Sequence, residues 1–341
     1  MNVVRLRIAV LVTIGVLLSA VIPQSACANP AGATRPVIYI EDVARFYKLY
    51  DATEGHPTAA ELQNYIDHGS EGLRYFAKAR STTGARIAAA LTEHPPMYAD
   101  ARRCMAVLPH VRVRVTAALH KFKELYPEAS LLPVTIVVGR GKPMAIGDSR
   151  EGVEVGLESL CSVGWMNPNL EDRFVHLIAH EYGHVQQFLA FNNNEHPTVL
   201  AGSLMEGAAE FIAEMTSGDI SYAFFKQSTK GHEKEIETAF VADEGSADVS
   251  RWLYNGTLEK PGDLGYWVGY RICKAYYQHA ENKRQAFRDI VEISDPRLFV
   301  AKSGWYPGIE LKQPASVLVA VRIRLLGNWR PDTSRSATRR T

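Results

Sequence analysis

The spacing of apolar residues predicts two kinds of structure along this chain. From residue 37 to 126, apolar positions recur every three or four residues, as in 43–50, which is the period of helices with one buried face. The period becomes that of strands in the β-branched run 133–138 and in the alternating segment 152–157, with a loop predicted at 141–147. We therefore predict an α+β, mostly helical fold with a small β-sheet.

Two helices after the predicted sheet have clear boundaries. One runs over 170–191, opened by Asn169 as a cap and stopped by three asparagines at 192–194, and the next covers 199–217. Helical periodicity predicts further helices at 221–227, 232–241, 247–254, 261–280 and 284–293.

The N-terminus has the pattern of a secretory signal peptide. Arg5 and Arg7 precede the uncharged run 8–22, and small residues then permit cleavage after Ala28. We expect an exported chain, periplasmic or secreted, with no stable membrane span after cleavage. An uncleaved anchor is the alternative, and acylation of Cys27 would instead make a lipoprotein.

Composition and cysteine content narrow the classes of function. With 341 residues, 46% hydrophobic and 22% charged, the chain has enough apolar residues for a sizeable core. A net charge of +1 without a basic stripe gives no support for a nucleic-acid partner. The mature chain would keep Cys104, Cys161 and Cys273, so one disulfide at most is possible. A Cys104–Cys161 pair is conceivable, and Cys273 lies in an apolar helical run that predicts burial.

The strongest chemical signal is His180-Glu181-Tyr182-Gly183-His184. Side chains four residues apart lie on one face of a helix, so both imidazoles can reach a single zinc ion. A catalytic zinc takes three protein ligands, and no third histidine follows at the metzincin spacing. Glu206 lies 22 residues after His184, far enough for an antiparallel return, and is the predicted third ligand. Glu210, one turn later, is predicted to support a zinc histidine, and an exchange of these two roles stays open.

These residues predict a hydrolytic mechanism. Zinc lowers the pKa of a bound water from about 15.7 toward 7, so Glu181 can take its proton and later protonate the leaving amine. A further donor is needed for the oxyanion, and the candidates in order are Tyr270 and Tyr266, then Arg271 and His232. The alternative for each tyrosine is that it only packs a helix face.

The chain resembles a family of predicted zinc-dependent proteases of the gluzincin type. The shared motifs are the HExxH segment, Glu206-Gly207-Ala208-Ala209-Glu210, Gly265-Tyr266-Trp267-Val268-Gly269-Tyr270, and segments 65–73, 134–139 and 156–158. The resemblance covers nearly all of 37–305. It implies a zincin-like fold, with His180, His184 and Glu206 as ligands and Glu181 as the catalytic residue, and it favours Tyr270 as the oxyanion donor.

The predicted organisation has four parts. Residues 1–28 are the signal peptide, 29–130 a helical region packed on the catalytic part, 131–310 the zincin-like catalytic domain, and 311–341 an extension with a disordered tail. The predicted function is an exported Zn²⁺-dependent metallopeptidase acting on peptides or proteins. The alternatives are a zincin-fold binding or scaffold protein without turnover, and a zinc amidohydrolase of cell-wall peptides. The sequence predicts neither the cleavage preference nor the oligomeric state.

The strands beside the predicted active-site helix allow two interpretations. Their sheet can offer an edge that pairs with an extended peptide substrate, or the two strands can form only a structural hairpin.

Overall fold

The computed structural model describes residues 36–187, 197–257 and 259–312. They belong to one compact unit, Arg35–Thr341. The predicted signal peptide, the asparagine stop at 192–194 and the tail from residue 330 lie outside the described residues. Within the described part of the chain, no helix is both long and apolar enough to cross a membrane.

Four strands form one small sheet. They are β1 (Ile38–Tyr39), β2 (Val134–Val137), β3 (Ala145–Asp148) and β4 (Gly152–Gly156). Their spatial order is β1-β2-β4-β3, in which β1, β2 and β4 are parallel and β3 is antiparallel to β4. The strands predicted at 133–138 and 152–157 are confirmed. They are parallel neighbours, so the interpretation of this pair as a hairpin was wrong.

The third strand, β3, corrects the predicted loop at 141–147. Its sequence contains a glycine and an aspartate and has no strand pattern of its own. It is extended because Ala145 pairs with Val155 and Asp148 pairs with Gly152 across the antiparallel ladder. Pairing with a neighbour, which a single sequence does not reveal, therefore makes this edge strand.

The N-terminal region is helical, as predicted, apart from the two residues of β1. Its helices are α1 (Glu41–Ala52), α2 (Ala59–Asp67), α3 (Glu71–Ala79), α4 (Gly84–Glu93), α5 (Pro95–Ala101), a 3₁₀ helix (Arg102–Val107) and α6 (Leu108–Leu125). The mostly helical α+β fold class is thus confirmed. Side-chain caps begin several of these helices: at α2, Thr58 and Glu61 form a reciprocal capping box.

The remaining helices follow the sheet. They are α7 (Leu157–Ser162), α8 (Leu170–Gln186), α9 (Val199–Ser217), α10 (Phe225–Ser228), α11 (Glu233–Asp243), α12 (Leu264–His279), α13 (Lys283–Val291) and α14 (Pro296–Ser303). The predicted bounds of α9 are confirmed at both residues. Thr198 caps its first turn and Gly218, at φ +105°, ends it in the left-handed conformation that glycine tolerates.

Several helix predictions after the sheet need correction. Helix α8 ends at Gln186 rather than at residue 191, because Gln187 is already extended. Segment 247–254 forms turns, held in part by the Asn255 side chain, which donates to the carbonyls of Ser250 and Arg251. The helix predicted at 221–227 begins only at Phe225, as α10, and helices α7 and α14 were not predicted.

A single hydrophobic cluster joins the N-terminal helices to the rest of the unit. Phe122 of α6, for example, lies 6.2 Å from Tyr182 of α8 and 5.9 Å from Phe287 of α13, centroid to centroid. A disulfide between Cys104 and Cys161 links the 3₁₀ helix to α7, which settles the pairing that the sequence left open. Cys273 is free and buried, as expected.

Helices α9 and α12 pack closely against each other, and glycines permit it. A Cβ atom on Gly269 would overlap the carbonyl of Ser203, and one on Gly207 would overlap the backbone of Gly269 and Tyr270. Two glycines in the sequence motifs are therefore required by this helix crossing. The crossing places Glu206, which precedes Gly207, at a fixed distance from α12.

Candidate active site

Helix α8 brings the two predicted histidines together. Asn169 caps the helix by accepting a hydrogen bond from the backbone N–H of Asp172, and the helix then runs unbroken through His180 and His184. The two Nε2 atoms face each other at 3.1 Å. The spacing of four residues therefore produces the convergence that the sequence predicted.

Helix α9 supplies the third group. Oε2 of Glu206 lies 3.0 Å from Nε2 of His184 and 3.4 Å from Nε2 of His180. All three groups offer ligand atoms within 4.8 Å of one another, and they are the set in the described residues able to hold a metal ion. Glu206 is only 5% exposed and His180 only 2% exposed, so bulk water does not separate them.

This donor set fits zinc. Tetrahedral Zn²⁺ with bonds of about 2.0–2.1 Å separates its ligand atoms by about 3.3 Å, close to the three distances above. Imidazole nitrogen and carboxylate oxygen are also ligands that zinc takes in hydrolytic sites. Two imidazole nitrogens pointing at each other need a proton or a cation between them. A divalent ion would meet that need for the whole set.

The electrostatics of the cluster favour positive charge at its centre. Burial alone would lower the pKa of His180, but Glu210 and Glu206 raise it to about 10. Burial likewise opposes a raised pKa at His184, and Glu206 outweighs it. Burial would raise the pKa of Glu206, whereas the two histidines bring it below its ordinary value. The carboxylate thus stays ionised at neutral pH and attracts a cation.

The outer atoms of the histidines have partners as well. Oε1 of Glu210 lies 3.1 Å from Nδ1 of His180, at ion-pair distance but without hydrogen-bond geometry. The backbone N–H and the hydroxyl of Ser221 donate to Glu210 and fix its position. Glu206 therefore lies at the convergence point and Glu210 behind His180, as predicted, and the opposite assignment has no support from these distances.

Gln187 and Tyr254 also support the cluster, and sequence reasoning missed both. Oε1 of Gln187 lies 2.6 Å from Nδ1 of His184, while its Nε2 donates to the carbonyl of Met205. The spacing of three residues from His184 is a signal that could have found Gln187. Tyr254 donates its hydroxyl to Oε1 of Glu206 at 2.9 Å, and nothing in its sequence context indicates this.

Glu181 lies against the edge strand. The backbone N–H of Gly147 in β3 donates to Oε2 of Glu181 at 2.7 Å. A Cβ atom on Gly147 would overlap the carbonyl oxygen of Glu181, so only glycine allows the strand to approach α8 this closely. The strand that the sequence analysis missed thus orients the predicted general base.

A cleft of about 890 Å³ opens over the cluster. Its polar lining residues include Asp148, at the end of β3, and Ser149 and Arg150, which follow that strand. Its apolar and aromatic lining residues include Met144, Met166, Leu177, Tyr222 and Tyr266. The cleft therefore gives the three converging groups and Glu181 access to a ligand larger than water.

The two predicted tyrosines lie in different places. Tyr266 lines the cleft, and its ring stacks on His180 with the centroids 5.9 Å apart. Tyr270 does not line it: its hydroxyl donates to Glu214 at 2.8 Å and accepts from Lys274 at 2.7 Å. The structure therefore does not bring Tyr270, the first predicted oxyanion donor, to the cleft.

Two lower-ranked candidates are also outside the cleft. Arg271 pairs with Glu237 and donates to the carbonyl of Ile309, and His232 lies beside Glu235 at the surface. His176, one turn before His180, contacts Ser217 and packs away from the convergence point. Tyr266 remains the predicted donor that the structure brings to the site.

Replacing Tyr270 by phenylalanine separates a structural role from a catalytic one. The change removes two hydrogen bonds of a buried charged network, to Glu214 and from Lys274, so we expect the free energy of unfolding to fall by about 1–3 kcal/mol. Turnover should change little, because Tyr270 does not line the cleft. Urea denaturation and steady-state kinetics measure both quantities. A large loss of kcat at unchanged stability would instead indicate that Tyr270 takes part in catalysis.

Comparison with known proteins agrees with this geometry. Residues 143–292 match the family described as "Predicted Zn-dependent protease (DUF2268)". The resemblance to a family of predicted zinc-dependent proteases is therefore confirmed over this segment, which holds His180, Glu181, His184 and Glu206. No curated protein and no solved structure matches the chain.

Proposed function

We propose that this protein is a zinc-dependent metallopeptidase that hydrolyses peptide bonds. The observation that carries the proposal is the convergence of His180, His184 and Glu206 on one point beside Glu181, at the floor of an open cleft. The description of the matching family supports the same reaction class.

Zn²⁺ held by His180, His184 and Glu206 would act as a Lewis acid and would lower the pKa of a water molecule. Glu181 then accepts a proton from the attacking water and passes it to the leaving amine. Gly147 fixes Oε2 of this carboxylate, so Oε1 takes the proton. Tyr266, on the cleft wall beside His180, is the proposed hydrogen-bond donor to the carbonyl oxygen as negative charge develops on it.

We propose an extended peptide or protein segment as the substrate. Strand β3 is an edge strand that lines the cleft, and an edge strand can bind an extended main chain through backbone groups other than the Gly147 N–H, which donates to Glu181. The apolar and aromatic residues that line the cleft suit a large apolar side chain next to the scissile bond.

Export to the periplasm or the medium is the proposed location. The signal-peptide pattern lies in 1–28, and the disulfide Cys104–Cys161 is typical of oxidising compartments. A fold with a disulfide between α7 and the N-terminal helices would gain from such an environment.

Metal removal tests the proposed function. Purified protein should contain one zinc per chain, and chelation should abolish cleavage of an unstructured protein until Zn²⁺ is restored. Because Zn²⁺ would bind only the folded state, a concentration of 100 times the dissociation constant should add about 2.7 kcal/mol to the free energy of unfolding. Elemental analysis, peptide-release assays and denaturation provide the measurements. Protein that cleaves equally well without metal would refute the proposal, and cleavage confined to cell-wall peptides would change the substrate class.

A further inference from the structure

Glu206 presents its two carboxylate oxygens to different partners. Oε2 faces the histidine pair, at 3.0 Å from His184 and 3.4 Å from His180. Oε1 accepts the hydroxyl of Tyr254 at 2.9 Å. The two oxygens of Glu206 therefore contact different groups. The partner of Oε1 is Tyr254, a tyrosine that belongs to none of the sequence motifs.

Burial does not explain the position of Tyr254. Its side chain belongs to a residue that is 57% exposed, among the most exposed large hydrophobic residues described. Its backbone has φ +57°, a left-handed conformation that is unfavourable for a bulky residue. A strained backbone conformation persists only where surrounding contacts hold it, and such positions cluster at functional sites.

The loop around Tyr254 is built to hold it. The carboxylate of Asp263 accepts the backbone N–H groups of Asn255 and Gly256, and Oδ1 of Asn255 accepts the backbone N–H of Asp263 in return. The hydroxyl of Tyr222, which lines the cleft, lies 3.4 Å from Oδ2 of Asp263. These reciprocal bonds close the loop just before α12 and fix the residue that precedes Asn255.

We propose that Tyr254 is a positioning residue that makes Glu206 present a single oxygen to the metal. Without the hydroxyl, Oε1 loses its partner and the carboxylate can turn until both oxygens face the histidines. The proposal rests on the zinc site proposed above and does not depend on the substrate. It explains why the hydrogen bonds of Asn255 and Gly256 with Asp263 hold Tyr254 in place, a role that the reaction itself does not require.

Tyr254→Phe tests the hydroxyl alone, because the ring and its contact with Tyr266 are kept. We expect the affinity for Zn²⁺, measured by competition with a chromophoric chelator, to fall about 10–100-fold. The thermal midpoint of the metal-free protein should fall only as far as the loss of one hydrogen bond to Glu206 explains. Tyr306→Phe is the matched control, since Tyr306 is 60% exposed and is not among the residues lining the cleft.

Loading with Co²⁺ adds a readout that a merely structural role would not move. Visible absorption of Co²⁺ is stronger with four donor atoms than with five, so Tyr254→Phe should absorb more weakly than wild type and Tyr306→Phe should not. The role of Tyr254 is overturned if its variant matches wild type in either Zn²⁺ affinity or the Co²⁺ spectrum. A wild-type chain that binds no Zn²⁺ overturns the metal site itself, so the two failures are distinguishable.

Discussion

Glu181→Gln is expected to lower kcat for peptide hydrolysis by about 10²–10⁴-fold, the usual contribution of a general acid–base group. The carboxamide keeps the size of the side chain and can still accept the hydrogen bond from Gly147. It cannot take a proton from water at neutral pH. The bound zinc should be retained, because the three converging groups are unchanged.

The control for this variant is Glu171→Gln. Glu171 lies in the first turn of the same helix, α8. It pairs with Arg114 of α6 and does not line the cleft. Elemental analysis and steady-state kinetics on both variants give zinc content and turnover together. Full zinc content with unchanged kcat in Glu181→Gln would leave a zinc-binding protein without the proposed chemistry.

The two histidines and Glu206 could be predicted from the sequence because their arrangement depends on residues close together along the chain. His180 and His184 converge through helix periodicity alone, and Asn169, the predicted cap, marks where α8 begins. Glu206 required only one further step, the antiparallel return of the next helix. Each of these inferences depends on spacing within one or two helices.

The differences between prediction and structure arose where packing between helices, rather than spacing within one helix, decides which residue reaches the site. Tyr266 and Tyr270 are one turn apart on the same face of α12, so periodicity cannot tell which of them lies beside the histidine pair. Contacts of Gly265 and Gly269 with Ser203 and of Lys274 with Glu214 show that α12 runs parallel to α9. This register puts Tyr266 beside the cluster and Tyr270 a turn further on.

The residues that sequence reasoning missed lie outside periodic segments. Tyr254 reaches Glu206 from a loop whose shape depends on Asp263, nine residues later. Strand β3 is extended through its pairing with β4, and only then does Gly147 meet Glu181. No pattern within either segment carries this information, because the partners come from elsewhere in the chain.

Gly269→Ala should be the most damaging small substitution, because the added methyl group would overlap the backbone of α9 at Ser203. Backbone in a helix cannot yield as the end of a side chain can. We expect the free energy of unfolding to fall by about 3 kcal/mol, at the upper end of overpacking costs. This loss must exceed the gain of about 1 kcal/mol that alanine ordinarily brings to a helix interior.

The same substitution should weaken zinc binding, because relief of the overlap requires α9 and α12 to separate. Glu206 is adjacent to Gly207, the second glycine of the crossing, and would move with α9 relative to the histidines on α8. Gly245→Ala is the control, since a Cβ atom there meets nothing within 4 Å. Urea denaturation and zinc competition on both variants test the link between the crossing and the site. If Gly269→Ala were no less stable than Gly245→Ala, the crossing would not be as close as these contacts require, and the glycines of the two motifs would need another explanation.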